Sequence, residues 1–478
     1  MLKKINISKT KINIGYSMIY RIITMLIPLI TSPYLSRVLG AEKIGEYSFV
    51  SAIAYYFFSF AMLGVNDYGN REVAKVRDNK DVLSNTFWQI FYLQFFLSIL
   101  LSIIYFVIVI FTFDTQKLIG IIFTFYVLSA ITDINWFCYG IEKFKHVTVI
   151  WVIYRVLSAL LIFVFVKDSF DLWIYTLIIN GGQFFFAFLN WPIVFKTTTF
   201  RKPNFKAMKE HVKPNFILFL PAVALSLFHY MDRLMMGLYS QIIQIGYYNY
   251  AENIITIPMG ISVAIESVML PKISNLVEKN KKQEEKELLY KTIKYVSALN
   301  IALVFGLSCV SKIFVPWYLG KDYIITAELV ILLSPVIFIS GFSGLIRYQY
   351  LIPRRMDKPY LISILCGAIL NFILNLFLIP KFTAVGAAIA TVLSHLMVAF
   401  VQFIYTKKEI NYKKIVLSLI PCVFNAIIMM IVVLLIPFVH STILTLFLKI
   451  LAGIIVYSII FVVCERIFKN HNFGIVVR

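Results

Sequence analysis

Few side chains in this sequence are equipped for chemistry, and those few stand inside long apolar runs. Arg21 lies roughly ten residues into a run covering 12–36. At about 1.5 Å per residue, a helix would carry it about 15 Å inward, too far for an easy reach back to water. A charge at such depth is costly and points to function by default. The planar guanidinium fork matches phosphate oxygens, so Arg21 is a candidate to neutralise a phosphorylated substrate. A structural pair with another helix is the competing reading. Asp133, near the end of the fourth run, and Arg155, in the fifth, fall at similar depths. They form either an ion pair or a substrate-breakable latch on the cytoplasmic side. Asp232 and Arg233 lie in the seventh run, Glu252 and Glu266 in the eighth. Successive helical residues diverge by about 100°, so only one of Asp232 and Arg233 points at a given partner; Arg233 with Glu252 is the pair expected on charge, while Glu266 reads as interfacial. His395 titrates near neutral pH unless a hydrogen bond fixes it as a structural residue, and Lys449 reads as a snorkelling side chain. The candidates are thus Arg21, Arg155 and Arg233 for substrate, with Asp133, Asp232, Glu252, Glu266 and His395 for gating or ion pairing.

These residues make no catalytic set. The sequence holds no HExxH, GxSxG, P-loop or dinucleotide fingerprint. Its five cysteines, Cys138, Cys309, Cys366, Cys422 and Cys464, sit in or beside apolar runs without a CxxC, so neither a disulfide framework nor a metal site is expected. The loops are too short to hold an ATPase. The expectation is a protein that is not an enzyme and carries no cofactor.

The elements that position these charges are membrane helices. The chain has 478 residues, 60% hydrophobic and 14% charged, against roughly 25% charged in a soluble domain. A hydrocarbon core about 30 Å thick takes a helix of about 20 apolar residues, and runs of that length follow one another. They lie at 12–36, 45–69, 83–112, 117–138, 147–166, 171–195, 214–239, 243–270, 288–310, 324–346, 359–379, 383–406, 414–436 and 442–465. They are continuous and twice the length of the alternating strands of a membrane barrel, so the expected fold class is all-α with about fourteen transmembrane helices. Lys3 and Lys4 resemble the start of a signal peptide, but the run continues through Pro33, Tyr34 and Arg37 without a small-residue cleavage site. It reads as a retained first helix.

Charge tests this count. With the N-terminus in the cytoplasm and loops alternating, 34 of 45 basic residues fall on the cytoplasmic side and seven on the outer side. One miscounted helix would invert every later loop and erase the contrast. The net charge of +21 is therefore a topology signal, and no nucleic-acid partner is expected. Both termini are placed in the cytoplasm, with the chain crossing the membrane many times.

An internal repeat organises the helices. Ile44-Gly45-Glu46-Tyr47 opens the second run and Ile245-Gly246-Tyr247-Tyr248 the eighth, each after a proline-containing helix. An offset of six helices preserves orientation, which predicts a parallel repeat. The expected organisation is an N-terminal six-helix lobe (1–195), a basic cytoplasmic linker (196–213) and a C-terminal six-helix lobe (214–406). Two further helices and a tail follow (407–478). The segment 271–291, with Lys281, Lys282, Glu284, Glu285, Lys286 and Glu287, reads either as an amphipathic surface helix or as a solvated connector.

The motifs also carry a family resemblance. Pro33-Tyr34-Leu35-Ser36-Arg37-Val38-Leu39-Gly40 followed by Ile44-Gly45-Glu46-Tyr47, then Tyr68-Gly69-Asn70-Arg71-Glu72, resembles the opening of bacterial polysaccharide flippases, Wzx-like members of the multidrug/oligosaccharidyl-lipid/polysaccharide exporter superfamily. Asp133-Ile134-Asn135-Trp136-Phe137, Gly246-Tyr247-Tyr248 and Val385-Gly386-Ala387-Ala388 are similar to later landmarks, in order across about 12–405. One departure is His395, where many relatives place a carboxylate; it weighs against an acid-based proton site there. The resemblance implies transfer of undecaprenyl-diphosphate-linked oligosaccharide units to the outer leaflet, for capsule, exopolysaccharide or O-antigen. It also implies membrane lipid and the polymerase and chain-length machinery as partners. Competing readings are a cation-coupled drug antiporter of the same superfamily, which would want an acidic N-terminal pocket, and a membrane polysaccharide polymerase, which would want a large outer loop.

Overall fold

A computed structural model describes residues 15–16 and 23–470. Among these, helices are the only extended regular structure, as lipid demands of a chain whose backbone must bond to itself. In chain order they are α1 (23–38), α2 (Gly40–Met62), α3 (Val65–Val76), α4 (Lys80–Thr112), α5 (Lys117–Thr132), α6 (Asn135–Gly140), α7 (Phe144–Phe165), α8 (Leu172–Phe188) and α9 (Trp191–Thr197). They continue with α10 (Phe205–Tyr239), α11 (Ile242–Glu278), α12 (Lys282–Leu319), α13 (Ile324–Leu333), α14 (Pro335–Ile346), α15 (Asp357–Thr406), α16 (Tyr412–Leu435) and α17 (Thr442–Asn470). The protein is an all-α membrane protein.

Several short helices join end to end into one crossing. Leu63 and Gly64, both at positive φ, break α2 from α3, while Asp133 and Ile134 separate α5 from α6. Eleven described segments are long and apolar enough to span a membrane. One of them, α15, has 50 residues, about 75 Å of helix and more than twice a hydrocarbon core. It doubles back at Thr383, where φ is 51° and ψ −127°. Gly386 makes the reversal possible, because a Cβ there would overlap the Leu378 carbonyl. Counting α15 as two crossings makes twelve among the described residues, and α10 and the described part of α1 are further helices of the apolar runs.

Chain contacts divide the protein into two compact units, Met1–Gly237 and Leu238–Arg478. In the first, a core of Phe87, Trp136, Phe137, Val147 and Trp191 ties α4, α6, α7 and α9 together. Gln94 holds the α5–α6 break: its amide donates to the carbonyls of Ala130 and Asp133, and its oxygen accepts from Trp136 Nε1 at 3.0 Å. The basic segment 196–213 is strapped to α4. Gln89 Oε1 accepts from Asn204 N at 3.0 Å, Tyr92 Oη donates to Arg201 O at 2.9 Å, and Arg201 pairs with Asp81 at 2.6 Å. In the second unit, α12 packs on α14, α16 and α17 through Ile293, Ile301, Leu345, Ala426, Met429 and Tyr457.

Two expectations are corrected here. The segment 271–291 is not a separate surface helix. Pro271 is carried inside α11, which runs to Glu278, and α12 starts at Lys282 after a turn with Asn280 at φ 53°. Lys449 does not snorkel to an interface. It is 5% exposed and its Nζ donates to Val433 O at 2.6 Å, because the last turn of α16 offers carbonyls with no helical partner.

Candidate functional site: a tyrosine and arginine wall in the first unit

Five helices of the first unit bring tyrosines to one internal face. From α2 come Tyr47, Tyr55 and Tyr56, from α5 Tyr126, from α7 Tyr154, from α8 Tyr175 and from α10 Tyr230. Tyr47 and Tyr175 have ring centroids 4.8 Å apart, and Tyr55 stacks on Tyr230 at 3.9 Å. Tyr47 lies within electrostatic reach of Tyr175, Tyr154, Tyr126 and Arg155, and Tyr126 within reach of Tyr230, Tyr55 and Asp133. Tyr47, Tyr126, Tyr175 and Asp133 are enclosed by protein yet keep accessible surface. Residues of that kind line a space instead of filling a core.

Arg155 stands midway along α7, next to Tyr154, whose ring its guanidinium overlies at 5.6 Å. The expected Asp133–Arg155 ion pair is not formed among the described residues. Asp133 sits at the C-cap of α5, and its Oδ1 accepts from Asn135 N at 3.0 Å. The helix break claims the carboxylate for a backbone donor. Arg155 Nε is buried with no hydrogen-bond partner, which leaves the guanidinium available to an anion. Asp232, 3% exposed, and Arg233, over Tyr230 at 5.5 Å, occupy α10 nearby, with Asp232 in reach of Tyr56. Arg21 lies outside the described residues.

The other candidates fall in the second unit. Glu252 and Glu266 are both on α11, and His395 is in the second half of α15. Glu266 corrects its interfacial reading: it is 2% exposed, and its Oε2 lies 3.7 Å from Arg347 Nη2. The close approach of α11 and α14 is made by Gly344, where a Cβ would overlap Glu266 Oε1. Ser262, one turn before Glu266, donates to Asn300 Oδ1 at 2.9 Å opposite Gly341. Arg347 opens a π-turn, Arg347–Leu351, in which Gln349 is fully buried; such turns are frequent at functional sites. Arg347 falls just beyond the apolar run 324–346, so hydropathy alone does not single it out; the spacing Gly341-x-x-Gly344 is the available sign that α14 meets a bulky polar neighbour. For the tyrosines the sign is that Tyr47, Ser51 and Tyr55 share one helical stripe.

Residues 11–277, more than half of the chain, match the family model described as polysaccharide biosynthesis protein. The chain belongs to that family. It is 23% identical over 405 residues to a putative O-antigen transporter of Escherichia coli strain K12, covering 83% of this chain and 96% of that protein. A probable low-salt glycan biosynthesis flippase of Haloferax volcanii is 24% identical over 235 residues, 47% of this chain and 49% of the relative. Among solved structures, the lipid II flippase MurJ in an inward closed conformation is similar with a TM-score of 0.79 at 18% identity, covering 95% of this chain and 99% of that one. An inward-facing multidrug resistance transporter of the MOP superfamily matches with a TM-score of 0.58 at 11% identity, over 80% and 97%. At these identities the structural likenesses establish a shared fold.

Proposed function

We propose that this polysaccharide-biosynthesis family member flips undecaprenyl-diphosphate-linked oligosaccharide repeat units from the cytoplasmic to the outer leaflet by alternating access. The observation that carries the reading is the wall of the first unit: tyrosine faces and hydroxyls around a guanidinium with no carboxylate partner among the described residues. Such a wall suits a substrate that combines sugars with phosphate. Tyrosine rings stack on sugar faces and their hydroxyls exchange hydrogen bonds with sugar hydroxyls. Arg155 meets the diphosphate as a charge-assisted donor, and Arg21 and Arg233 are assigned the same role. Asp133, Asp232, Glu252, Glu266 and His395 serve gating or ion pairing. The polyprenyl tail stays in the bilayer while the head passes. Family membership and the O-antigen transporter relative support the substrate class.

The same reading places the protein in the bacterial cytoplasmic membrane with both termini inside, two six-helix lobes, and a polymerase with its chain-length machinery downstream.

The test is a deletion strain carrying Arg155→Ala, scored with a leaflet-specific assay of lipid-linked oligosaccharide. Expected are loss of outer-leaflet units and of surface polymer, undiminished protein in the membrane, and partial return with Arg155→Lys. Outer-leaflet units at wild-type level in the deletion strain itself would sink the function. Wild-type flipping by Arg155→Ala would sink only that residue's role.

A further inference from the structure

The second unit carries two neighbouring hollows, one polar and one apolar, apart from the wall described above. The turn between α15 and α16 forms a cavity of about 490 Å³ lined by Phe403 and the run 407–413, which includes Lys407, Lys408, Glu409, Tyr412 and Lys413. Three lysines against one glutamate leave the cup positive, and none of the three forms an ion pair among the described residues. The cup is built, not frayed. Ile410 is 3% exposed, Asn411 N donates to Tyr290 Oη at 2.8 Å, and Asn411 Oδ1 caps α16 by accepting from Lys414 N at 3.0 Å.

On the same face of α16 a second, wholly apolar groove of about 330 Å³ is lined by Val416, Leu419, Ile420, Val423, Phe424, Ile427 and, from α14, Phe338. The spacing from Tyr412 through Val416, Ile420, Val423 and Ile427 is one helical stripe. An aromatic chain joins the two hollows: Phe338 to Phe342 at 6.1 Å, Phe342 to Tyr412 at 6.4 Å, Tyr412 to Phe403 at 4.8 Å. From Val416 to Ile427 the helix rises about 16 Å, close to one leaflet of a hydrocarbon core about 30 Å thick. On α16 itself Val416, Leu417, Ile420 and Phe424 are exposed, as on a lipid-facing surface.

The geometry points to a binding site for an anionic diacyl phospholipid. Its headgroup occupies the lysine cup and an acyl chain lies along the α16 groove, in the leaflet that faces the 407–413 turn. Charge selects the lipid: a zwitterionic headgroup brings no net charge to three free ammonium groups, whereas phosphatidylglycerol does. Basic pockets between membrane helices on the cytoplasmic side recognise anionic headgroups in this way.

The purified full chain is to be compared by native mass spectrometry in the presence of phosphatidylglycerol, phosphatidylcholine with the same chains, and a polyprenyl diphosphate. Expected is retention of phosphatidylglycerol over phosphatidylcholine by about tenfold, lost in the combined K407Q/K408Q/K413Q variant, as suits removal of three charges near a membrane surface. A second variant, I420W, fills the groove without touching charge and weakens retention of the phosphatidylglycerol adduct. Thermal unfolding of both variants reports folding separately. Equal retention of the two phospholipids, or phosphatidylglycerol retained undiminished by the triple variant, overturns the site. Displacement of phosphatidylglycerol by equimolar polyprenyl diphosphate assigns the groove to the transported lipid and also overturns it.

Discussion

At the scale of single residues, the two units treat buried charge differently. Arg155 is left beside tyrosines without a carboxylate, while Glu266 is matched to Arg347 and clasped by Gly344. A buried pair adds little net stability, but one broken partner is costly, so the α11–α14 contact depends on the space at Gly344. Gly344→Ala must push Glu266 aside and is expected to cost about 1–3 kcal/mol, the usual range for overpacking. A thermal unfolding midpoint equal to wild type would contradict it. His211, at the start of α10 and outside the apolar run, meets Tyr68 Oη through Nδ1 at 2.7 Å. Burial lowers its pKa below the ordinary value, against the opposing pull of Glu72 and Glu210. The unfolded chain then takes up a proton that the folded one resists. The stability His211 contributes is full above about pH 6.5 and declines as pH falls through that value. Unfolding midpoints measured from about pH 7.5 to about pH 5.5 should fall more steeply for wild type than for His211→Asn; parallel slopes would refute the assignment.

At the scale of elements, interruptions do the positioning. The break at Asp133 spends the carboxylate on a backbone donor and so frees Arg155. The break at Thr383 turns one 50-residue helix into two crossings. A threonine held at φ 51° carries backbone strain of about 1–3 kcal/mol, and glycine adopts that conformation freely. Thr383→Gly is therefore expected to match or exceed wild-type stability, and Gly386→Ala, beside the Leu378 carbonyl, to fall below it. The reverse order in a thermal unfolding series would show that the reversal is held by other contacts.

At the scale of the whole molecule, the proposed orientation rests on charge. The positive-inside contrast predicts Lys408 in the cytoplasm and Asp322 outside. In a chain with its five cysteines replaced, a membrane-impermeant thiol reagent applied to intact cells should label D322C at once and K408C only after permeabilisation. The opposite pattern would invert the topology, and with it the leaflet from which substrate is taken.

Periodicity and composition were enough to establish an all-α membrane protein of many crossings, because hydropathy is summed over about 20 residues and survives any single exception. The ordered motifs pointed to the family on the same footing. Which charges meet could not be read from sequence, because pairing depends on helix breaks and close approaches of a few ångströms. A carboxylate at position 133 looks the same in sequence whether it faces a guanidinium or caps a helix. Glu266 looked interfacial until Gly344 brought α14 against it, and Lys449 looked like a snorkelling residue until Val433 O was found beside it. The tyrosine wall likewise gathers residues from five helices scattered between positions 47 and 230, a convergence that only the packing of those helices creates.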